Sequence, residues 1–472
     1  MSQEYMYTQG DILIAPYKFQ KITKLKVTRE LNEHAKLYIS GIIDEENVDK
    51  YVETADAEAS ISMSVKDDKN SVTNVFQGVV TNIQVNANKD VRTLEIEALS
   101  RTFLMDIKKK SRTFQNENSS YGDVFNIVNS GYNNLQMLDS ITNGTKIDKL
   151  IVQYKETDWE FIKRLASHFN VPLVSECQLD DMKYSIGNSG CCKTYKLDEF
   201  NYSIKKNLQE YKLKSENDIT NLDDINLISY EVLTSKIMHL CNLVNFKGRN
   251  IYIYKSEMEL LNGVILNKYI LRDEKGIKVR KIYNNKIVGI SLEGNILDTK
   301  NDVVKIKLQI DGNQNGSGAR WFPYSTVYSS PDGTGWYCMP EVGDSIRLYF
   351  PDNEEKNAYA ISSTNLKSSN SQKRGDPSVK SIGTKYGKEV VMKPGAVEII
   401  GNGNLLMRLT DDGGIEIKSN KKIVLDAKQD IEITGGGKVS IQGDSGVALT
   451  QGGANMNIQD NVTMSGGKVK IE

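Results

Sequence analysis

Leu406-Met407-Arg408-Leu409-Thr410-Asp411-Asp412-Gly413-Gly414-Ile415-Glu416-Ile417-Lys418-Ser419-Asn420-Lys421-Lys422-Ile423-Val424-Leu425 states one phrase three times: apolar, any residue, apolar, then a polar turn. The first apolar position falls at Ile399, Met407, Ile415, Ile423, Ile431, Val439 and Val447, eight residues apart each time. The second falls at Leu409, Ile417, Leu425, Ile433, Ile441 and Leu449. Beyond Leu449 the spacing loosens to Met456/Ile458, Val462/Met464 and Val469/Ile471. A fixed period dictates architecture before any single residue does. Residues two apart lie on one face of a strand. The segments between them, such as Gly435-Gly436-Gly437 and Gly443-Asp444, are turn-formers. The pattern therefore predicts a series of very short strands, each offering two apolar side chains to one side.

One chain cannot bury so narrow a stripe, and an isolated hairpin is marginal in water. Three copies wound about a common axis solve this: each supplies one wall of a triangular prism, and each strand edge is paired by a neighbour. The expected axis core is Ile399, Met407, Ile415, Ile417, Ile423, Leu425, Ile431, Ile433, Val439, Ile441, Val447 and Leu449. At roughly 5 Å per octad, the rod would be on the order of 50 Å long. A monomeric solenoid is the competing reading, but eight residues are too few to close a coil around its own core. Calcium-binding β-roll repeats would need a Gly-rich nonapeptide with aspartate at a fixed phase, which the octads lack.

Working back from the octads, residues 365–384 read as a polar linker, followed by the repeat domain over 385–472. Residues 282–364 alternate strand and turn at the length of a five-stranded OB-fold barrel, with Trp321-Phe322-Pro323-Tyr324 and Gly335-Trp336 at its centre. Little positive charge lies between 321 and 346, so these aromatics are expected in core and interface packing rather than stacked on bases. Residues 1–110 predict a first antiparallel barrel, 111–200 an α+β insert and 201–281 a second barrel. Within the insert, Thr157 is a helix N-cap with Glu160 at the capping-box position. Trp159, Ile162, Leu165, Ala166 and Phe169 share one helical face. His168, beside that face, is expected to be a structural residue, or an exposed one favoured by the helix dipole, rather than a metal ligand. The fold class is thus mainly β with minor α.

Composition narrows the function. The 472 residues carry 60 basic and 61 acidic side chains, a balance unlike that of a general nucleic-acid or anionic-membrane binder. No run of apolar residues is long enough for a membrane-spanning helix. Five cysteines without a CxxC pair fit a reducing cytoplasm, and the polar opening Met1-Ser2-Gln3-Glu4-Tyr5 predicts synthesis there without a cleaved leader. The three histidines, His34, His168 and His239, have no metal-ligand spacing, so neither metal nor cofactor is expected. Acidic pairs such as Asp411-Asp412 and Glu354-Glu355 read as solvated turns rather than acid/base dyads. No nucleophile-elbow, zincin or phosphate-loop pattern occurs, so no catalytic residue and no enzyme activity is expected.

Two motifs carry a family resemblance. Gln153-Tyr154-Lys155-Glu156-Thr157-Asp158-Trp159-Glu160-Phe161-Ile162-Lys163-Arg164-Leu165-Ala166 resembles a signature of VgrG spikes and of related phage late-control and baseplate hub proteins. Trp321-Phe322-Pro323-Tyr324, Gly335-Trp336 and Pro340-Glu341-Val342-Gly343-Asp344 resemble the OB-fold core of that family. Tyr154, Asp158, Trp159, Leu165, Trp321, Gly335, Trp336, Pro340, Gly343 and Asp344 are its structural markers here. The order of domains is also the family's, over nearly the whole chain. The resemblance implies a homotrimeric hub and needle of a contractile injection apparatus, phage tail-like or type VI secretion-like. Such a spike joins the inner tube and baseplate to the tip and punctures the target envelope when the sheath contracts. It would be a virion component or part of an assembled particle delivered outside the cell.

Departures from the family's variants sharpen the expectation. The segment 365–384 is too short for the hydrolase some phage spikes carry there. No histidine follows His239, so a histidine-bound iron tip is not expected, and a separate PAAR-like tip protein or effector is expected to cap the prism. A trimeric receptor- or carbohydrate-binding tail fibre is the alternative; it would carry a binding head beyond the prism.

Overall fold

A computed structural model describes residues 5–142, 144–189, 193–217, 219–311, 318–365, 370–402, 405–468 and 470. The Val469/Ile471 pair and the vicinal cysteines Cys191 and Cys192 lie outside these. The chain forms two compact units, Met1–Leu366 and Lys367–Glu472. It is mainly β, as the strand periodicity predicts.

In the first unit, residues expected to form two separate barrels instead build one open twelve-stranded sheet. Strands Ile12–Ala15, Ser60–Lys66, Val72–Asn88, Val91–Ser100, Lys36–Ile43 and Lys21–Glu30 make one half. Arg249–Leu261, Val264–Arg272, Ile228–Thr234 and Tyr202–Lys206 continue it, with Leu243–Phe246 and Thr194–Leu197 attached beside Arg249–Leu261. The seam is antiparallel, Lys26–Glu30 against Lys255–Glu259. The physical reason is the length of Arg249–Leu261. A bulge between Ile253 and Lys255 lets it pair with Val264–Arg272 throughout while its outer edge serves Leu243–Phe246 at one end and Lys21–Glu30 at the other. Alternation still places the core: Val27, Leu37, Ile39, Ile61, Met63, Phe76 and Ile96 pack on one side of the first half, with Met258 and Ile265 reaching in from the second.

The insert pairs Lys110–Phe114 with Ile151–Glu156 and adds helices Tyr121–Asn129 and Asp158–Ser167. Thr157 caps the second helix, its Oγ1 accepting from the Glu160 amide at 3.1 Å while Glu160 Oε2 accepts from the Thr157 amide at 2.9 Å. Trp159, Ile162, Leu165 and Ala166 are buried as the helical face predicts, and Phe161 is buried as well. Strand Ile151–Glu156 serves two cores, because successive residues point to opposite faces. Ile151 packs into the insert, while Val152 packs with Ile296, Val304, Ile306 and Phe322 of the next sheet.

That sheet runs Trp321–Pro323, Val303–Leu308, Ser291–Lys300, Ser345–Tyr349, Tyr359–Ile361. A lone parallel bridge joins Tyr324 to Ala360, so the two edge strands meet in OB-like order without a closing ladder. The strand Ser291–Lys300 begins only after a 3₁₀ turn, Asn285–Ile287, held by the Asn284 side chain.

In the second unit, Lys380–Gly383, Lys388–Lys393, Ala396–Gly401, Leu406–Thr410 and Gly414–Lys418 form an antiparallel meander. Its first strand falls inside the stretch read as linker. Ile382 stands opposite Val390 and extends the apolar face by one strand. Residues 419–446 contain no strand, and Val447–Gln451, Ala454–Ile458 and Val462–Ser465 form a second meander.

Candidate functional site

Three places gather the residues singled out by sequence. The first is the foot of the helix Asp158–Ser167. Asp158 is completely buried and its carboxylate is saturated. Lys110 Nζ donates to it at 2.5 Å, Arg112 Nη2 at 2.6 Å, the Tyr132 hydroxyl at 2.7 Å and Gln153 Nε2 at 3.0 Å. Burial alone would raise its pKa. The bonds from Lys110, Gln153 and Tyr132 and the charge of Arg112 outweigh it and hold the carboxyl below its ordinary range. Trp159 packs its indole 4.6 Å from the His34 ring and edge-on to Tyr184. Leu165 is buried among the insert's aromatics, and Tyr154 is half-buried with its carbonyl taking a bond from Asn284 Nδ2 at 2.8 Å. Asp158 and Trp159 are therefore structural: one ties strands to the helix start, the other fills the core.

The second place is the contact between that helix and the OB-like sheet. Arg164 is buried and makes two bonds of 2.9 Å to Glu156, one of 2.9 Å to Glu355 and one of 2.6 Å to the Val152 carbonyl. Both glutamates are buried too, which corrects the reading of Glu354-Glu355 as a solvated turn: only Glu354 faces water in part, paired with Lys281. Close by, Arg320 donates to the carbonyls of Gln115, Ile147 and Asp148, and Gln115 Nε2 donates to Asp311 at 2.9 Å. Burial raises the Asp311 pKa to about 6 despite bonds from the Leu308 amide and Gln115. The spacing of Glu156 and Arg164 on a strand and the following helix was the available signal. The third partner was hidden, 191 positions from Arg164.

His168 caps the same helix at its C-terminal end, with Nδ1 3.0 Å from the Tyr121 hydroxyl. It is not a dipole-favoured cation. Burial first, then the charges of Lys149, Arg164 and Lys281, push its pKa down to about 2. A histidine kept neutral in the fold but free to protonate when unfolded contributes stability above pH 6.5 that is lost as pH falls. Asp311 acts in the opposite sense between about pH 4 and 6, since its raised pKa favours the folded state at the acid end. The His168 contribution is therefore read from a difference. His168→Gln is expected to gain stability relative to the parent as pH falls from 6.5 to 4.5, by at most about 1.4 kcal/mol per pH unit. Urea unfolding at several pH values measures it, and parallel curves for the two proteins would refute it.

The OB-like markers separate into turn-makers and exposed aromatics. Gly335 has φ 131°, and a Cβ there would stand 2.4 Å from the Tyr328 carbonyl oxygen, so only glycine fits. Pro340 is buried, Gly343 has φ 95° and its amide bonds the Ile296 carbonyl at 2.9 Å, and Asp344 Oδ2 accepts from the Glu341 amide at 2.9 Å. The Pro340–Asp344 turn thus clamps the bulge in Ser291–Lys300. Trp321 and Trp336 were expected in packing, yet both are exposed in the single chain; Trp321 lies under Lys305 Nζ at 4.8 Å. Phe322 and Phe350 occupy the core instead. Strand alternation puts Phe322 inward and its neighbour Trp321 outward.

The third place is the octad face. Ile399 stands opposite Met407, Met407 opposite Ile417, and Leu409 opposite Ile415, so the expected axis residues Ile399, Met407, Ile415 and Ile417 share one face of the meander with Leu409, Val390, Met392 and Val397. The other face is a charged ladder: Glu398 takes Lys393 at 2.8 Å and Arg408 at 2.7 Å, and Arg408 continues to Glu416 at 3.5 Å. On the apolar face Ile415 is 68% exposed. Ile423, Leu425, Ile431, Ile433, Val439 and Ile441 lie on the strandless stretch, where Leu425 reaches 71% exposure. Val447 and Leu449 pair with Ile458 and Met456 in the second meander. Among the described residues no cluster of His, Cys, Asp and Glu could hold a metal, and no helix is long and apolar enough to cross a membrane.

Known proteins resemble the chain in fold. A family model described as the Alg8 N-terminal domain matches residues 20–189, less than half of the chain. No curated protein matches. Among solved structures, the Francisella PdpA-VgrG complex in its lidded form aligns over 88% of this chain and 80% of that chain, at 12% identity and a TM-score of 0.58. A lidless PdpA-VgrG complex aligns over 88% and 99%, at 12% identity and 0.57. The E. coli c3393 protein, a component of the type VI secretion system with structural similarity to the T4 bacteriophage tail proteins gp27 and gp5, aligns over 74% and 98%, at 10% identity and 0.51. The chain has the fold of these proteins. At such identities the likeness is one of fold.

Proposed function

We propose that the chain is the central hub and spike of a contractile injection apparatus of the VgrG type, acting as a homotrimer. The observation that carries this is the octad face. A tail-like fold is joined in one chain to a repeat whose apolar side chains are exposed along its length while the opposite face is a charged ladder. An amphipathic sheet of this kind needs a partner for its apolar side, and identical copies about a threefold axis provide one at every octad. Residues 419–446, strandless in one chain, would gain edge partners from the neighbouring copies. The exposed Trp321 and Trp336 fit burial against neighbours in the same assembly.

In this reading the first unit seats on the inner tube and baseplate proteins, and the octads form the needle that meets the target envelope. The role is mechanical, and the chain takes no cofactor and binds no nucleic acid. A PAAR-like tip protein or an effector covers the apolar cross-section of the prism, much as VgrG is found with PdpA in the Francisella complex. The particle works outside the producing cell. Mass photometry and negative-stain imaging of the full chain test this. The expected result is a trimer with a broad cup and a single protruding needle; a monomer, or a fibre with a distal knob, overturns it.

A further inference from the structure

The first unit has a pocket, partly open to solvent, of about 270 Å³ where the large sheet, the insert and the loop 239–242 meet. Arg29 lines it and is only 3% exposed. Its Nε donates to Ser256 Oγ at 3.0 Å and its Nη2 to the Met238 carbonyl at 3.4 Å. Both acceptors are neutral, so these bonds leave the buried guanidinium without a carboxylate partner. A buried charge in that condition is costly. Gln178, also nine-tenths buried, lines the same cavity, and its Nε2 has no hydrogen-bond partner. Among the described residues the pocket thus brings together a buried guanidinium without an ion-pair partner and, within its wall, an amide donor without a hydrogen-bond partner.

The surroundings define what would satisfy them. Lys183 and Lys193 add positive charge beside the carboxylate of Glu176, whose Oε1 accepts from the amides of Cys177 and Gln178. Cys177 stays a thiol, since burial raises its pKa to about 12, and burial together with the charge of Arg29 keeps His239 neutral. Val174 and Leu240 supply apolar wall. An acceptor-only group with negative charge is the chemical complement of two buried donors, and the apolar wall suits a short carbon body.

We propose that this cavity binds a small organic oxyanion, a carboxylate or a phosphate monoester of a few carbon atoms, with Arg29 as its charge partner and Gln178 as second donor. Because Arg29 sits opposite Ser256 in the seam between the two halves of the large sheet, occupancy also braces that seam.

Calorimetric titration of the full chain with succinate, glycerol phosphate and inorganic phosphate tests it. One saturable site per chain for succinate or glycerol phosphate, tighter than for inorganic phosphate, is expected. Whichever of the two binds identifies the headgroup. Gln178→Leu should weaken binding on the order of tenfold or more, the loss of one hydrogen bond to a charged group. Arg29→Met should abolish it. Gln178→Leu removes a donor with no protein partner, so it carries the test if Arg29→Met does not fold. No saturable binding, inorganic phosphate binding as tightly as the organic anions, or undiminished binding to a natively folded Gln178→Leu would overturn the proposal.

Discussion

The Ile431→Asp variant is expected to lose the heat- and detergent-resistant trimer. In the proposed prism, one substitution places three carboxylates in a single layer around a dry axis. Burying ionised carboxylates costs several kcal/mol each, so the trimer loses roughly 10 kcal/mol, or must take up protons to avoid it. The single chain loses almost nothing, because Ile431 is already half exposed there. The two states thus separate cleanly in mass photometry and on unboiled gels. Glu432→Lys, one residue along and therefore on the opposite face, is the matched control and should leave the trimer intact. Equal trimer stability in both variants would mean that Ile431 does not face the axis.

Arg164→Met should destabilise the first unit by about 3–5 kcal/mol, because it leaves Glu156 and Glu355 buried without their cation. Methionine keeps much of the volume, so the loss reflects uncompensated charge rather than a cavity. Adding Glu156→Gln and Glu355→Gln to Arg164→Met should recover most of the stability, since replacing every member of a buried ion group is far milder than removing one. Urea unfolding of the parent, Arg164→Met, the Glu156→Gln/Glu355→Gln pair and the triple variant gives the coupling energy directly. A triple variant no more stable than Arg164→Met would show that the arginine acts through packing on Phe161, over which its guanidinium lies, and not through its charge.

What could be read from sequence follows from the range of the interactions involved. The helix Asp158–Ser167 was legible because its cap, Thr157 with Glu160, and its apolar spacing lie within one stretch of chain. The octads were legible because the period of eight holds from Ile399 to Leu449. The joining of two expected barrels into one sheet was not, since Lys26 meets Glu259 and Val27 meets Met258 by a register that no local pattern encodes. Glu355 was misread for the same reason: an acidic pair in a polar stretch looks solvated until a buried arginine from a distant helix reaches it.

Sequence by itself determined the mainly β class, the period of the repeat and the side of each short strand that is apolar, because these depend on alternation along a few residues. Only the tertiary structure decided which strands pair across the seam, which carboxylates are buried, and that Trp321 and Trp336 face outward while Phe322 and Phe350 fill the core. Those outcomes rest on contacts between residues far apart in the chain. Their free energy comes from burial and desolvation, which no short window of sequence contains.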